Sequence, residues 1–180
     1  MKSIINQIIT LLAIVMLLVS CNDAPSLQRY FVDHQETPNF ITQDLPVSML
    51  NIDESQLTES QQEAYKSVSR LNFLGYKKGE NDSLNYKNEL NQIKTILNHD
   101  DYYDLMEFSD KGNKIVVKYL GEDDEADEII VFGSSPTMGF AIVRVLGNDM
   151  NPEKMANLAG LLKNSNIDEE QFSDILGFFK

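Results

Sequence analysis

Apolar positions along this chain fall into three regimes, and each predicts a different structure. From Leu11 to Val19 the sequence is apolar without a break. That run is about half of the roughly 20 residues a bilayer-crossing helix needs. Lys2 gives a short positive start, Ile4 to Thr10 is mixed, and Ser20 and Cys21 end the run. This is the pattern of an export signal rather than of a fold element. The middle of the chain repeats at helical spacing. Leu27, Tyr30, Phe31 and His34 predict a short amphipathic helix over 26–35. Thr58-Glu-Ser-Gln61 has the form of a capping box, in which hydroxyl and amide satisfy each other's backbone donors. The helix it opens is expected to run to about Arg70, with Leu57, Ala64, Val68 and Leu71 inward. Tyr86, Leu90, Ile93 and Leu97 mark another helix, with Asp82 placed to cap it.

The last third carries strand patterns. Lys114–Leu120, Glu128–Gly133 and Gly139–Leu146 are rich in β-branched residues and separated by turn signals. Asn39–Asp44 and Asn72–Tyr76 read as further strands, and Pro46 opens a turn or helical segment to Leu50. Tyr102–Ser109 suits either a strand or a short helix running into one. Ala141, Val143 and Val145 occupy one face of the last strand and Phe140, Ile142 and Leu146 the other. That strand is therefore expected to be central and covered on both sides. Asn151-Pro152 opens a helix with a stripe of Met155, Leu158, Ala159 and Leu162. A final helix from Asp168, capped with Gln171, would bury Phe172, Ile175, Leu176 and Phe179. The order βαβα, then consecutive strands, then two helices predicts an α+β fold. The expected form is a two-layer sandwich, with a mixed, mostly antiparallel sheet and helices mainly on one face.

Charge narrows the range of partners. The 180 residues carry a formal net charge of −13. An acidic surface repels phosphate, which argues against nucleic acid and against headgroup binding by bulk electrostatics. A single cysteine, Cys21, excludes an internal disulfide framework and a zinc site built on several thiolates.

Leu18-Val19-Ser20-Cys21 resembles the lipobox of bacterial lipoproteins. That resemblance implies a lipidated Cys21 as the first residue of the mature chain, anchored in the membrane by its acyl chains. The other readings of Cys21 are an uncleaved membrane helix and a buried core thiol. The division it implies is a signal peptide over 1–20, a tether over 21–25 and one α+β domain over 26–180. Removing Lys2 with the signal takes the net charge from −13 to −14. The tether lacks the dense acidic run of some surface-export signals, so a periplasm-facing anchor is expected.

The lipobox, Leu71-Asn72-Phe73-Leu74, Tyr103-Asp104-Leu105-Met106-Glu107 and Lys114-Ile-Val-Val-Lys-Tyr119 behind a Gly-Asn turn together resemble one family. It is a lipoprotein family of Bacteroidota-type bacteria known as domain of unknown function 4252. The family supplies no catalytic residues to carry over. The resemblance implies an envelope-sensing or stress role.

Candidate chemistry is sparse. Asp123, Asp124, Glu125 and Asp127, in the run that begins at Glu122, could hold a calcium ion. They lack the ligand alternation and central glycine of an EF-hand loop, and such runs are more often solvated hairpins. His99, Asp100, Asp101 and Asp104 form a second oxygen-rich cluster, which also reads as a helix end and turn. Gly133-Ser-Ser-Pro-Thr-Met-Gly139 is neither a nucleophile elbow nor a phosphate loop. Asp82-Ser83-Leu84 resembles a short O-glycosylation motif of exported proteins, which would modify Ser83. No cofactor motif and no catalytic set is present. The expected function is non-enzymatic: a lipid-anchored, periplasm-facing envelope protein that binds an envelope protein partner or serves envelope stress and homeostasis. The alternatives are a sensor of a small ligand or cation and, third, a hydrolase.

Overall fold

A computed structural model describes residues 25–50, 52–162 and 173–179. Helix α1 spans Leu27–Asp33, and strand β1 Phe40–Leu45. Two short 3-10 turns, Val47–Leu50 and Glu54–Gln56, lead to α2, Glu59–Ser67. Strand β2 (Val68–Lys77), helix α3 (Ser83–Leu97) and strand β3 (Tyr102–Asp110) follow. Strands β4 (Asn113–Gly121), β5 (Ala126–Ser135) and β6 (Gly139–Met150) complete the sheet. Helices α4 (Pro152–Leu162) and α5 (Ser173–Phe179) close the described chain.

The α+β sandwich expected from the pattern stands, with two details that differ. The sheet is antiparallel throughout rather than mixed, in the order β1-β2-β6-β5-β4-β3. Helix α3 does cross between strands of the same direction, β2 and β3, but three strands lie between them. Secondly, helices lie against both faces. On one face α1 and α3 bury Leu27, Tyr30, Tyr86, Ile93 and Leu97 over Leu74, Ile130, Phe132, Phe140 and Ile142. On the other, α2, α4 and α5 bring Ala64, Met155, Leu158 and Ile175 onto Leu71, Phe73, Val117 and Ile129. Strand β6 lies between β2 and β5, the central position expected of it.

Local chemistry sets most boundaries. The Thr58–Gln61 capping box forms both of its bonds. Lys111 and Gly112 have φ of 47° and 86°, the two left-handed residues of a tight hairpin turn. Helix α2 stops at Ser67, three residues short of the sequence expectation. Val68 and Leu71 are buried as residues of β2, paired to β6 across a bulge. Strand pairing there outweighs helix propensity, and β-branched Val68 favours it. Asp82 stands at the start of α3 without a side-chain cap, because its carboxylate accepts from the Tyr76 hydroxyl instead. The Asn151 side chain does cap α4, accepting from the Lys154 N–H at 3.0 Å. Met155 and Leu158 are buried, but Ala159 faces solvent. Asp168, Gln171 and Phe172 lie outside the described residues, as do the side chains of Leu162 and Leu176. Ile175 is buried.

Candidate functional site

The sheet face under α1 and α3 changes character along its strands. Register places Thr42, Leu74, Ile142, Phe132 and Val116 in one cross-strand row. The next row is Asp44, Asn72, Arg144, Ile130, Lys118 and Asp104. Within one step, about 7 Å along the strands, an apolar face becomes polar. Arg144 holds Glu128 with two parallel bonds, 2.6 Å from Nε and 2.8 Å from Nη2. Its guanidinium lies 5.3 Å from the Phe31 ring centre. Lys118 and Asp104 pair at 2.8 Å, with the ammonium nearly buried and the carboxylate exposed. Burial and then the nearby Glu128 carboxylate raise the pKa of the Tyr102 phenol.

Beside the Arg144 pair the surface opens into a cleft of about 450 Å³ between α1 and strands β1, β2 and β6. Phe31, Val32 and Leu146 give it apolar wall, and Asp44, Arg70 and Asn72 give it charge and hydrogen-bonding groups. Asn72 donates to Asp44 across the β1–β2 pair. Farther along α1, the Tyr30 hydroxyl donates to Glu89 at 2.7 Å. His34 lies 3.5 Å from that carboxylate and contacts the Tyr30 carbonyl at 2.8 Å through Nδ1. Burial, with Glu89 beside it, drives the Tyr30 phenol far above its ordinary range, and burial with Asp82 does the same to Tyr76. On an exposed turn, hydrogen bonds from Ser55 lower the pKa of Asp53.

The opposite face is covered unevenly. Helices α2, α4 and α5 sit over its β2–β6 side. Toward β3 and β4, Tyr103, Phe108, Ile115 and Met138 are 47%, 47%, 46% and 53% exposed. Phe108 and Ile115 are direct cross-strand partners. An apolar hollow of about 350 Å³ lies between Ile115, Met138, Ala141 and Phe179. Strand β3 is also the sheet edge, and no described strand pairs with its outer side.

The residues singled out by sequence do not converge on this ground. Cys21 lies outside the described residues. Ser83 is exposed at the first position of α3. Asp123, Asp124, Glu125 and Asp127 belong to the β4–β5 connection. There the Tyr119 hydroxyl donates to Asp123 at 2.9 Å, which raises that phenol's pKa, and Asn151 donates to the Asp124 carbonyl. His99 pairs with Asp101 at 3.0 Å, while Asp104 turns to Lys118. Among the described residues no three His, Cys, Asp or Glu side chains converge as a cation site. In the β5–β6 turn, Ser135 Oγ lies 3.2 Å from Thr137 Oγ1, and Tyr86 donates to the Ser135 carbonyl. Sequence reasoning missed Arg70 and Arg144, although they are two of only three arginines in the chain.

Residues 30–158 match the model of a family described as Domain of unknown function (DUF4252). No curated protein and no solved structure matches the chain.

Proposed function

The chain belongs to the DUF4252 family, and from that premise we propose that it is a lipid-anchored binding module of the cell envelope. It is held at Cys21, faces the periplasm and acts by docking an envelope protein rather than by catalysis. The observation that carries this reading is the exposed cross-strand pair Phe108 and Ile115, with Met138 lining the same hollow as Ile115, beside an unpaired sheet edge. Exposed apolar clusters of this kind are characteristic of interaction surfaces. The described chain begins at Pro25, next to α1, whose buried residues pack the other face. A tether at that end leaves the β3–β4 side open to a partner.

The occupant is an extended, basic and apolar segment that adds a strand to β3. A bulge at Leu105 interrupts the edge, so Met106–Asp110 is the regular stretch available. Exposed Asp100, Asp101, Asp104, Glu107 and Asp110 line this strand and its approach. Asp101, Asp104 and Glu107 already pair with His99, Lys118 and Lys114, so Asp100 and Asp110 supply the charge that opposes a second copy and favours lysine or arginine in the incoming strand.

The test is a photo-crosslinking residue at position 108 of the lipidated protein in its native envelope, with Leu84 on α3 as the control site. Leu84 is 72% exposed. The expected product at 108 is one envelope protein, joined through a segment alternating basic and apolar residues, and lost in Ile115→Asp. Identical products at 84 and 108, or an adduct indifferent to Ile115→Asp, would overturn the proposal.

A further inference from the structure

The cleft beside Arg144 calls for a different occupant from the sheet edge. The chain has twelve lysines but three arginines, and two of the three, Arg70 and Arg144, border this one cleft. Arginine differs from lysine in presenting a planar fork that matches a carboxylate. Arg70 is exposed and makes no ion pair or side-chain hydrogen bond among the described residues. Arg144 has given Nε and Nη2 to Glu128. Its Nη1 has no partner, yet among the described residues no buried side-chain nitrogen is unpaired. Nη1 is therefore not wholly buried, while the rest of the guanidinium is held by Glu128 and lies beside the Phe31 ring.

The cleft is not simply an anion site. Asp44 stands in it, opposite Asn72, and keeps one carboxylate oxygen beyond the bond from that amide. A free phosphate would meet this carboxylate and be repelled. Asp44 and Arg70 leave the same sheet face on neighbouring strands, offset by two residues. Strand spacing and rise put their origins about 8 Å apart. An α-amino acid spans about 3 Å from ammonium nitrogen to carboxylate oxygen, and a hydrogen bond at each end adds about 2.8 Å, so the two side chains must hold their polar atoms about 8.5 Å apart, which the flexible stem of exposed Arg70 can set from origins that close. Phe31, Val32 and Leu146 supply an apolar wall on the same cleft. Its volume of about 450 Å³ falls in the ordinary range for small-molecule sites.

We propose that this cleft binds a free α-amino acid with a neutral apolar side chain. The carboxylate sits on Arg70 with the unpartnered Nη1 of Arg144, the ammonium on Asp44, and the side chain along Phe31 and Val32. This goes beyond the docking surface and does not depend on it, because the two lie on opposite faces of the sheet.

The experiment follows the arginine Nε–H resonances of the full-length lipidated protein in detergent micelles, with L-leucine as the probe. Only three such signals exist, so Arg29, which pairs with Asp33 at 3.8 Å, is an internal control. L-leucine is expected to shift the Arg70 and Arg144 signals saturably and leave Arg29 unmoved. Arg70→Lys and Asp44→Asn should each weaken binding about tenfold, the effect of losing one charge-assisted contact. N-acetyl-L-leucine lacks the ammonium and L-leucinamide lacks the carboxylate, so both should bind about tenfold more weakly or worse. No saturable shift with leucine overturns the proposal. So does binding of N-acetyl-leucine or inorganic phosphate as tight as that of leucine, which would make the cleft an anion site only. Crosslinking at position 108 reads the other surface, so failure of one experiment leaves the other intact.

Discussion

Arg144 shows how a single residue can serve a surface and strain a core. Its side chain is 11% exposed and that of Glu128 6%. Two charges removed from water this far gain little net stability from meeting, but removing one partner strands the other. Arg144→Ala should therefore cost about 3 kcal/mol, measured by urea unfolding. The double change Arg144→Met with Glu128→Leu should recover most of that loss, since an apolar pair of similar size avoids the desolvation cost. A double variant as unstable as the single would show that the pair itself is stabilising. Tyr30 provides a pH signature. The folded state favours the neutral phenol, through burial and the Glu89 carboxylate. Below the ordinary phenol value of about 10, folded and unfolded chains both keep the proton and nothing changes. As pH rises past that value, the unfolded chain releases its proton first and stability falls. Tyr30→Phe should cost about 1 kcal/mol near neutrality, for the lost bond. It should also flatten the alkaline decline. Unfolding free energies at about pH 8 and about pH 11 check both signs, and an unchanged alkaline slope would contradict the account.

At the scale of elements, backbone approach decides what a side-chain pattern leaves open. Gly139 has φ of 125°, and a Cβ there would lie 1.9 Å from the Tyr76 carbonyl oxygen. Gly139→Ala should cost about 3 kcal/mol or more, from the disfavoured φ and the forced shift of β2. Thr58→Ala, which removes half of a capping box, should cost about 1 kcal/mol. Thermal or urea unfolding ranks the two, and equal effects would deny the close approach its importance. The legibility of the fold follows the same division. Helix α3 and strands β4, β5 and β6 were readable because each carries its own period, met by its own neighbours. The end of α2 was not, because Val68–Leu71 continues the helical spacing while pairing as strand. A hint lay elsewhere, at Gly147: a Cβ there would stand 2.1 Å from the Ser67 carbonyl oxygen. Gly147 directly follows the strand pattern read from the sequence, and once it belongs to the strand such a glycine signals a close approach, but not what approaches. Strand β3 was ambiguous because it is an edge, with exposed aromatic residues where an inner strand would show buried ones. Arg70, Asp44 and Arg144 are far apart in sequence, and only strand register brings them to one cleft.

For the whole molecule, net charge and the proposed attachment have to be reconciled. Without residues 1–20 the chain carries −13 − 1 = −14. Such a body gains nothing from anionic headgroups, and its sheet edge would be repelled by them. Electrostatics therefore cannot hold it at a membrane, and acyl chains would have to supply the whole attachment. At about 0.8 kcal/mol per buried methylene, two or three long chains are sufficient. The five residues 21–25 reach at most about 18 Å when extended, so α1 and its sheet face would stay near the bilayer while the β3–β4 face points elsewhere. Two consequences are measurable. Lipid attachment should survive high salt, which weakens only the screened interactions. Cys21→Ser should abolish metabolic labelling by a palmitate analogue and leave a chain that retains residues 1–20, resolved by intact mass. Continued labelling of Cys21→Ser would remove the anchor from the proposal. It would also remove the reason for placing the docking face away from the membrane, because that orientation follows from a tether at the α1 end.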